Sequence, residues 1–191
     1  IAEDEVITSD TAIREGTPGV FKDSEVGGVT YATSSGLGGI TDSKGQFYYN
    51  PGDMVSFSLG GTSLGSVKAV PVLTPVTVIG ATDTSDPRVV NMSRLLQSLD
   101  DDGDPSNGLE IKESTRTKLK GRSLEFNQSV SNFAISASST VQVVAGRGLV
   151  DTSKAINHLH GSLGERGKVA VIANTSAIRN QVPEYTPDNS L

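Results

Sequence analysis

The amino-acid sequence predicts a mainly β protein, an antiparallel β-sandwich with two short helices packed on it. Apolar and polar residues alternate over much of residues 20–80, which is the period of a strand with one buried face. The chain contains 21 glycines, and many of them stand in turn sequences. Helical periodicity, in contrast, is clear in two segments, residues 86–99 and 151–163.

Short strands and tight turns account for the first 80 residues. Residues 5–8 (Glu-Val-Ile-Thr) form a first β-like run. The alternating residues beyond it are Val29, Tyr31 and Thr33, then Phe47 and Tyr49, then Val55, Phe57 and Leu59. Turn sequences at residues 42–45 and 50–53 separate these runs. The Val-rich residues 67–78 contain two prolines, which indicates an edge strand or an extended crossing segment.

The second half of the chain mixes two helices with further strands. Asp86 and Pro87 suit the N-cap and first position of one helix, and Gly164 suits the end of the other. The apolar stripes are Val89, Met92, Leu96 and Leu99 in the first helix and Ile156, Leu159 and Leu163 in the second. Strands are predicted in residues 109–111, 130–135, 141–145 and 168–173, with a basic connection or short helix over 112–122.

A division near residue 83 would separate two units. Residues 1–83 would form a β-sandwich unit with the N-terminal strand, and residues 84–191 a mixed unit of helices and strands. The helix stripes need a sheet to cover, so the two units are predicted to pack as one composite body. The chain begins Ile-Ala-Glu-Asp without methionine, which we interpret as trimming or as removal of a signal segment.

An acidic turn is the strongest candidate for chemistry, and it spans residues 100–108 (Asp-Asp-Asp-Gly-Asp-Pro-Ser-Asn-Gly). Carboxylates at alternate positions are the usual opening of a calcium loop, and Asp100, Asp102 and Asp104 have this spacing. Asn107 would add a ligand, so the predicted cofactor is Ca²⁺. The match to an EF-hand is incomplete, because proline replaces the central glycine. The alternative is a solvated turn that caps the preceding helix, although carboxylates are unfavourable at that negative end.

Other patterns are weak candidates for catalysis. Residues 61–65 (Gly-Thr-Ser-Leu-Gly) match the nucleophile-elbow pattern, but the strand-like residues that follow favour a hairpin turn. His158 and His160 lie two apart on a predicted helix, with His158 near the buried side and His160 towards solvent. The chain has no cysteine, which excludes disulfides, thiolate metal sites and a cysteine nucleophile. We therefore expect that the protein is not an enzyme.

Two stretches resemble a known family. Residues 26–31 (Val-Gly-Gly-Val-Thr-Tyr), 41–47 (Thr-Asp-Ser-Lys-Gly-Gln-Phe) and 52–55 (Gly-Asp-Met-Val) resemble the prealbumin-like or carboxypeptidase-regulatory-like β-sandwich. Residues 89–111 look like a segment that follows this sandwich in secreted bacterial surface proteins and lipoproteins, and residues 155–163 look like its closing helix. The resemblance implies a non-catalytic module outside the cell.

Together these observations predict an extracellular structural or adhesive cell-surface protein. Its expected partners are copies of itself or other surface proteins. Strand-like segments near both termini, with Val6 and Ile7 in one and Val169 and Val171 in the other, could extend the sheet of a neighbouring subunit and build a filament.

The alternative function is an accessory ligand-binding module of a larger secreted bacterial enzyme or adhesin. Carbohydrate platforms need exposed aromatic side chains, and the best cluster is Tyr31, Tyr48 and Tyr49. A net charge of −6 argues against a nucleic-acid partner. No apolar run is long enough for a transmembrane helix.

Overall fold

The computed structural model describes residues 16–164, and this part of the chain is a mixed α/β fold. Strands hold 25% and helices 38% of it, arranged as three sheets and five helices. The described range is therefore richer in helix than the sequence predicts.

Strands dominate residues 17–73. The strands are β1 (Thr17–Phe21), β2 (Val26–Gly27), β3 (Thr30–Thr33), β4 (Gly38–Ile40), β5 (Gln46–Tyr49), β6 (Met54–Leu59), β7 (Thr62–Lys68), β8 (Val72–Leu73) and, later in the chain, β9 (Leu109–Glu110). The largest sheet is antiparallel, in the order β4-β3-β6-β7. Tyr31 on β3 lies opposite Phe57 on β6, and both are buried. The predicted alternation is confirmed in these strands.

Two smaller sheets connect distant parts of the chain. One has the order β5-β1-β8, in which β1 is antiparallel to β5 and parallel to β8. The other is the parallel pair of β2 and β9, which joins Val26 to Leu109. Parallel strands are joined by a long crossover connection and not by a local turn. The sequence therefore carries no short-range turn signal for the pairs β1–β8 and β2–β9.

Helices follow the strands. They are α1 (Pro75–Ile79), α2 (Pro87–Leu99), α3 (Glu113–Leu119), α4 (Val130–Ala145) and α5 (Thr152–Leu163). Asp86 caps α2 by accepting from the Arg88 backbone N–H at 2.9 Å. Asp151 caps α5 in the same way through the Ser153 N–H at 2.8 Å. The two predicted helices are thus confirmed.

The strands predicted over residues 130–135 and 141–145 are wrong, because helix α4 occupies this stretch. Its buried stripe is Phe133, Ala137, Val141 and Val144. These spacings of four, four and three place the side chains on one face of a helix. Ile135 lies on the opposite face and is 79% exposed, so the β-branched residues here do not mark a buried strand.

The hydrophobic core is one cluster that includes residues on both sides of residue 83. In the first half, the ring of Phe21 stacks on that of Phe57 with centroids 4.9 Å apart. In the second half, α2 is buried over residues 89–99, and it contacts α1, α4, α5 and β9. Helix α2 therefore organises the packing of the second half, and the acidic turn begins where this helix ends.

Candidate functional site

The acidic loop, residues 100–108, connects the end of α2 to β9. Its two ends are held by backbone hydrogen bonds. The Asp101 N–H donates to the Glu110 carbonyl at 2.9 Å, and the Leu109 N–H donates to the Glu25 carbonyl at 2.8 Å. The parallel pairing of β2 and β9 thus fixes the loop against the first sheet-forming half of the chain.

Asp100 is the buried residue of the loop, with 2% of its surface exposed. Its Oδ1 accepts from the Glu110 backbone N–H at 2.9 Å. Its Oδ2 is buried and has no hydrogen-bond partner. Burial raises the pKa of this carboxyl, and the neighbouring carboxyl of Asp102 adds to the rise. The buried oxygen without a partner is the least satisfied group of the loop.

The other carboxylates of the loop are engaged in local hydrogen bonds. Asp102 accepts from the Asn107 side-chain amide and from the Asp104 N–H, both at 2.8 Å, and these bonds lower its pKa. Asp104 accepts from the Ser106 N–H at 3.1 Å and from the Ser106 hydroxyl at 2.6 Å. Asp104 thereby caps the 3₁₀ turn Pro105–Asn107. These contacts are Asx-turn chemistry.

Two cationic side chains lie beside the loop and contact Asp101. The Lys112 ammonium is 2.7 Å from the Asp101 carboxylate. The Arg147 guanidinium donates to the Asp101 backbone carbonyl at 2.7 Å, and its charge helps to lower the pKa of Asp102. Part of the loop's negative charge is therefore balanced by the protein itself.

The structure brings together three of the four predicted metal ligands. The carboxyls of Asp100 and Asp102 interact directly, and Asn107 joins them by donating to Asp102. Asp104 is turned to Ser106 instead. In the range 16–164, no group of three or more His, Cys, Asp or Glu side chains is placed to hold a metal ion. The predicted assembly residues Val6, Ile7, Val169 and Val171 lie outside the described residues.

A second polar cluster, which sequence reasoning missed, lies between α2 and the loop after β1. Asp23 is fully buried there, and its carboxylate accepts from the Gln97 side-chain amide at 3.3 Å. The same amide donates to the Ala155 carbonyl at 3.0 Å, which ties α5 to α2. Burial raises the pKa of Asp23 to about 7, against the lowering effect of the Gln97 bond and of the nearby Ser93 hydroxyl.

A serine and histidine pair lies next to this cluster. The Ser24 hydroxyl is 3.0 Å from His158 Nε2 and donates to the Pro105 carbonyl at 2.9 Å. Since that carbonyl takes the hydroxyl proton, the imidazole must donate to Ser24 rather than accept from it. The Ser24 N–H donates to Ser162 Oγ at 2.8 Å. In this arrangement His158 anchors α5 to the loop after β1. The 134-residue separation left no sequence signal for the contact.

Other predicted motifs have structural positions. The nucleophile-elbow pattern at residues 61–65 lies at the β6–β7 hairpin and its first β7 residues, as expected. His158 is half-buried, and His160 is exposed and 2.6 Å from the Thr84 hydroxyl. Tyr31 and Tyr49, two members of the predicted aromatic platform, are 7% and 6% exposed and belong to the core.

A sheet edge with no further strand among residues 16–164 is the remaining feature with a use beyond the fold. Strand β8 is one of the two outer strands of the β5-β1-β8 sheet. The backbone N–H groups of Val20 in β1 and of Lys22 just after it donate to the carbonyls of Pro71 and Leu73 at 2.9 and 2.8 Å. In a parallel ladder, the backbone groups of the intervening Val72 then point away from β1. Val72 is 50% exposed.

Comparisons with known proteins identify no relative. No protein-family model matches the chain, no curated protein matches it, and no solved structure matches it. Within residues 16–164, every helix is too short or too polar to cross a bilayer.

Proposed function

We propose that the chain is a non-catalytic structural or adhesive protein of the cell exterior whose subunits associate by β-strand addition. The observation that carries this proposal is the apolar edge of the two-residue strand β8, which no further strand of the described residues covers. Val70 and Val72 are 39% and 50% exposed there, and an exposed apolar edge strand is a template for a strand from another chain.

The non-catalytic character is supported by how the described polar groups are used. Asp23, Ser24 and His158 connect α2, α5 and the loop after β1. Asp53 accepts from the Ser35 hydroxyl at 2.7 Å and from the Asn50 N–H at 2.8 Å, which holds its pKa down at about 2. These groups stabilise connections between elements, which is a structural role. Enzymes often place the same types of side chain in a pocket.

Residues 5–8 of a second copy are the proposed strand. They begin the segment that leads into β1, and β1 is the direct neighbour of β8. Seven residues, 9–15, connect the run to Gly16 and span at most about 25 Å when extended. The run could therefore reach the β8 edge of its own subunit or that of a neighbour. The proposal is that the neighbour's edge is used, as in the expected filament.

Deletion of residues 1–12 tests the proposed strand. We expect concentration-dependent oligomers or filaments of the full chain, measured by analytical ultracentrifugation and electron microscopy, and their loss in the deleted protein. If the deleted protein associates as the full chain does, the proposal is wrong. A full chain that is monomeric and loses stability on deletion would instead place the run on its own subunit. Both variants are to be compared by circular dichroism to confirm that they fold.

The substitution Val72→Lys tests the edge that accepts the strand. Lysine on an edge strand opposes pairing because its charge must stay in water. We expect the dissociation constant of the assembly to rise at least tenfold. Ile40→Lys is the matched control, because Ile40 is 51% exposed on β4, an outer strand of the four-stranded sheet. Weakened association in Ile40→Lys with no change in Val72→Lys would assign assembly to β4 and contradict the proposal.

A further inference from the structure

A second, independent observation concerns the acidic loop and does not depend on the proposed assembly. The Oδ2 atom of Asp100 is buried without a hydrogen-bond partner, in a residue that is 2% exposed. An unsatisfied buried carboxylate oxygen costs free energy, since it has lost water and gained no replacement. Native proteins keep such a group where something else occupies its lone pairs.

The surroundings of Asp100 are acidic rather than basic. The carboxyl of Asp102 lies against it, so two like charges share this end of the loop. The cations nearby contact Asp101 instead, Lys112 through the carboxylate and Arg147 through the backbone carbonyl. The charge of Arg147 acts on Asp102, but among the described residues no cationic side chain forms an ion pair with either carboxylate.

We propose that a Ca²⁺ ion binds between the carboxylates of Asp100 and Asp102. The donors that the structure brings together at this end of the loop are oxygens: two carboxylates and the carbonyl oxygen of the Asn107 side chain, whose nitrogen already donates to Asp102. Such hard, mixed donors suit Ca²⁺, which accepts irregular sets of six to eight oxygens completed by water. Mg²⁺ requires a near-ideal octahedron and retains its water more strongly.

The number of charged ligands sets the affinity. Two carboxylates are few for a calcium loop, so the dissociation constant is expected at about 10⁻⁴–10⁻³ M, the range of extracellular modules. Ca²⁺ would then fill the site where the ion is present at millimolar concentration. The ion would also neutralise the charge at the C-terminal end of α2, where carboxylates oppose the helix dipole.

The test is calorimetric titration of CaCl₂ into the full chain, after chelator treatment and dialysis. We expect one site per chain and at least fivefold weaker binding of MgCl₂. Asp102→Asn should weaken Ca²⁺ binding at least tenfold. Asp102 is exposed, so the Asp102→Asn variant is expected to fold. Asp100→Asn changes a buried residue, and it serves as a second variant if the protein still folds with this substitution. Circular dichroism of each variant checks its folding.

Asp104→Asn is the matched control. It removes one charge from the same loop, and asparagine can still accept the bond from the Ser106 N–H. We expect its Ca²⁺ affinity to stay within threefold of the unchanged protein. An equal loss of Ca²⁺ affinity in Asp104→Asn and Asp102→Asn would mean that the ion is attracted diffusely to the loop. No binding at 10 mM Ca²⁺, on the order of ten times the weakest dissociation constant expected, would mean that Asp100 and Asp102 share a proton instead. Either result would overturn the proposed site.

Discussion

Asp23 has the most unusual environment among the single residues. It is fully buried between α2 and the loop after β1, and its side-chain hydrogen-bond partner among the described residues is the neutral amide of Gln97. A carboxylate that leaves water without a cationic partner favours its neutral form. This is the physical cause of a pKa of about 7, well above the ordinary 3.8.

This environment predicts that stability falls as pH rises from about 4 to 7. The folded protein binds the Asp23 proton more tightly than the unfolded chain does. The contribution of this group to the free energy of unfolding is therefore fully present below pH 3.8, and it is lost as the pH rises through the folded-state pKa of about 7. Asp23→Asn should remove this dependence and stabilise the protein at pH 8 by about 2–4 kcal/mol. Urea unfolding at pH 5, 6.5 and 8 measures the effect.

Asp53→Asn is the control for this experiment. Hydrogen bonds hold the pKa of Asp53 at about 2, so its contribution is present above pH 3.8 and is lost only as the pH falls towards 2. This variant should be less stable than the unchanged protein throughout pH 5–8 and keep the same slope. If Asp23→Asn also leaves the slope unchanged, Asp23 is ionised in the folded protein.

At the scale of elements, close contact between backbones fixes how β2, β3 and α3 meet. Gly28 joins β2 to β3 with φ of +85°, and a Cβ atom there would lie 2.0 Å from the Ile111 carbonyl oxygen. The Ile111 carbonyl also accepts from Arg116 at 2.6 Å, which positions the start of α3. A side chain at residue 28 would therefore separate β2 and β3 from the loop at Ile111 and from the start of α3.

Gly28→Ala is expected to destabilise the protein by about 3 kcal/mol, and Gly36→Ala by about 1 kcal/mol. Gly36 has a similar φ of +94°, but a Cβ atom there meets nothing within 4 Å. The pair thus separates the cost of the backbone conformation from the cost of the contact. Thermal unfolding of both variants checks the difference, and equal losses would show that the contact relaxes without cost.

Some elements were readable from the sequence because their signals are local. The Asp86 cap lies within two residues of the N–H group from which it accepts, and it identified the start of α2; the apolar stripe and Gly164 identified α5. Helix α4 was misread because Val and Ile favour strands, although the spacing from Phe133 to Val144 is helical. Here the periodicity of the buried face outweighs the propensity of the single residues.

The candidate sites were readable to different degrees. The acidic loop stands out because four aspartates fall within five residues, and the structure keeps Asp100 and Asp102 together. The position of Asp104 depends on a local bond to Ser106 that competes with metal ligation. The contacts of Asp23 and Ser24 could not be predicted, since their partners are 74 and 134 residues away.

For the whole molecule, a core that crosses residue 83 predicts a single cooperative unfolding transition of the described part. Tyrosine side chains such as Tyr31 and Tyr49 lie in the first half of the core, and the long helices α2, α4 and α5 lie in the second. Tryptophan is absent, so the fluorescence comes from four tyrosines: Tyr31, Tyr48 and Tyr49 in the first half, and Tyr185 outside the described residues. A Tyr185→Phe background therefore confines the signal to the first half.

Urea unfolding followed by tyrosine fluorescence and by far-ultraviolet circular dichroism should therefore give coincident curves. Leu96→Ala in α2 should shift both curves together, by about 2–5 kcal/mol, because it opens a cavity in the shared core. Separate midpoints would mean that residues on the two sides of residue 83 unfold independently.

The sequence by itself determined the local features of this protein: the antiparallel strands, their turns, two capped helices and an acidic loop. Each depends on residues a few positions apart, whose conformational preferences act before the chain is compact. Only the tertiary structure decided the parallel pairs β1–β8 and β2–β9, the burial of Asp23 and Asp100, and the anchoring of α5 by His158. Those features depend on desolvation and on contacts between distant segments, which exist once the core has formed.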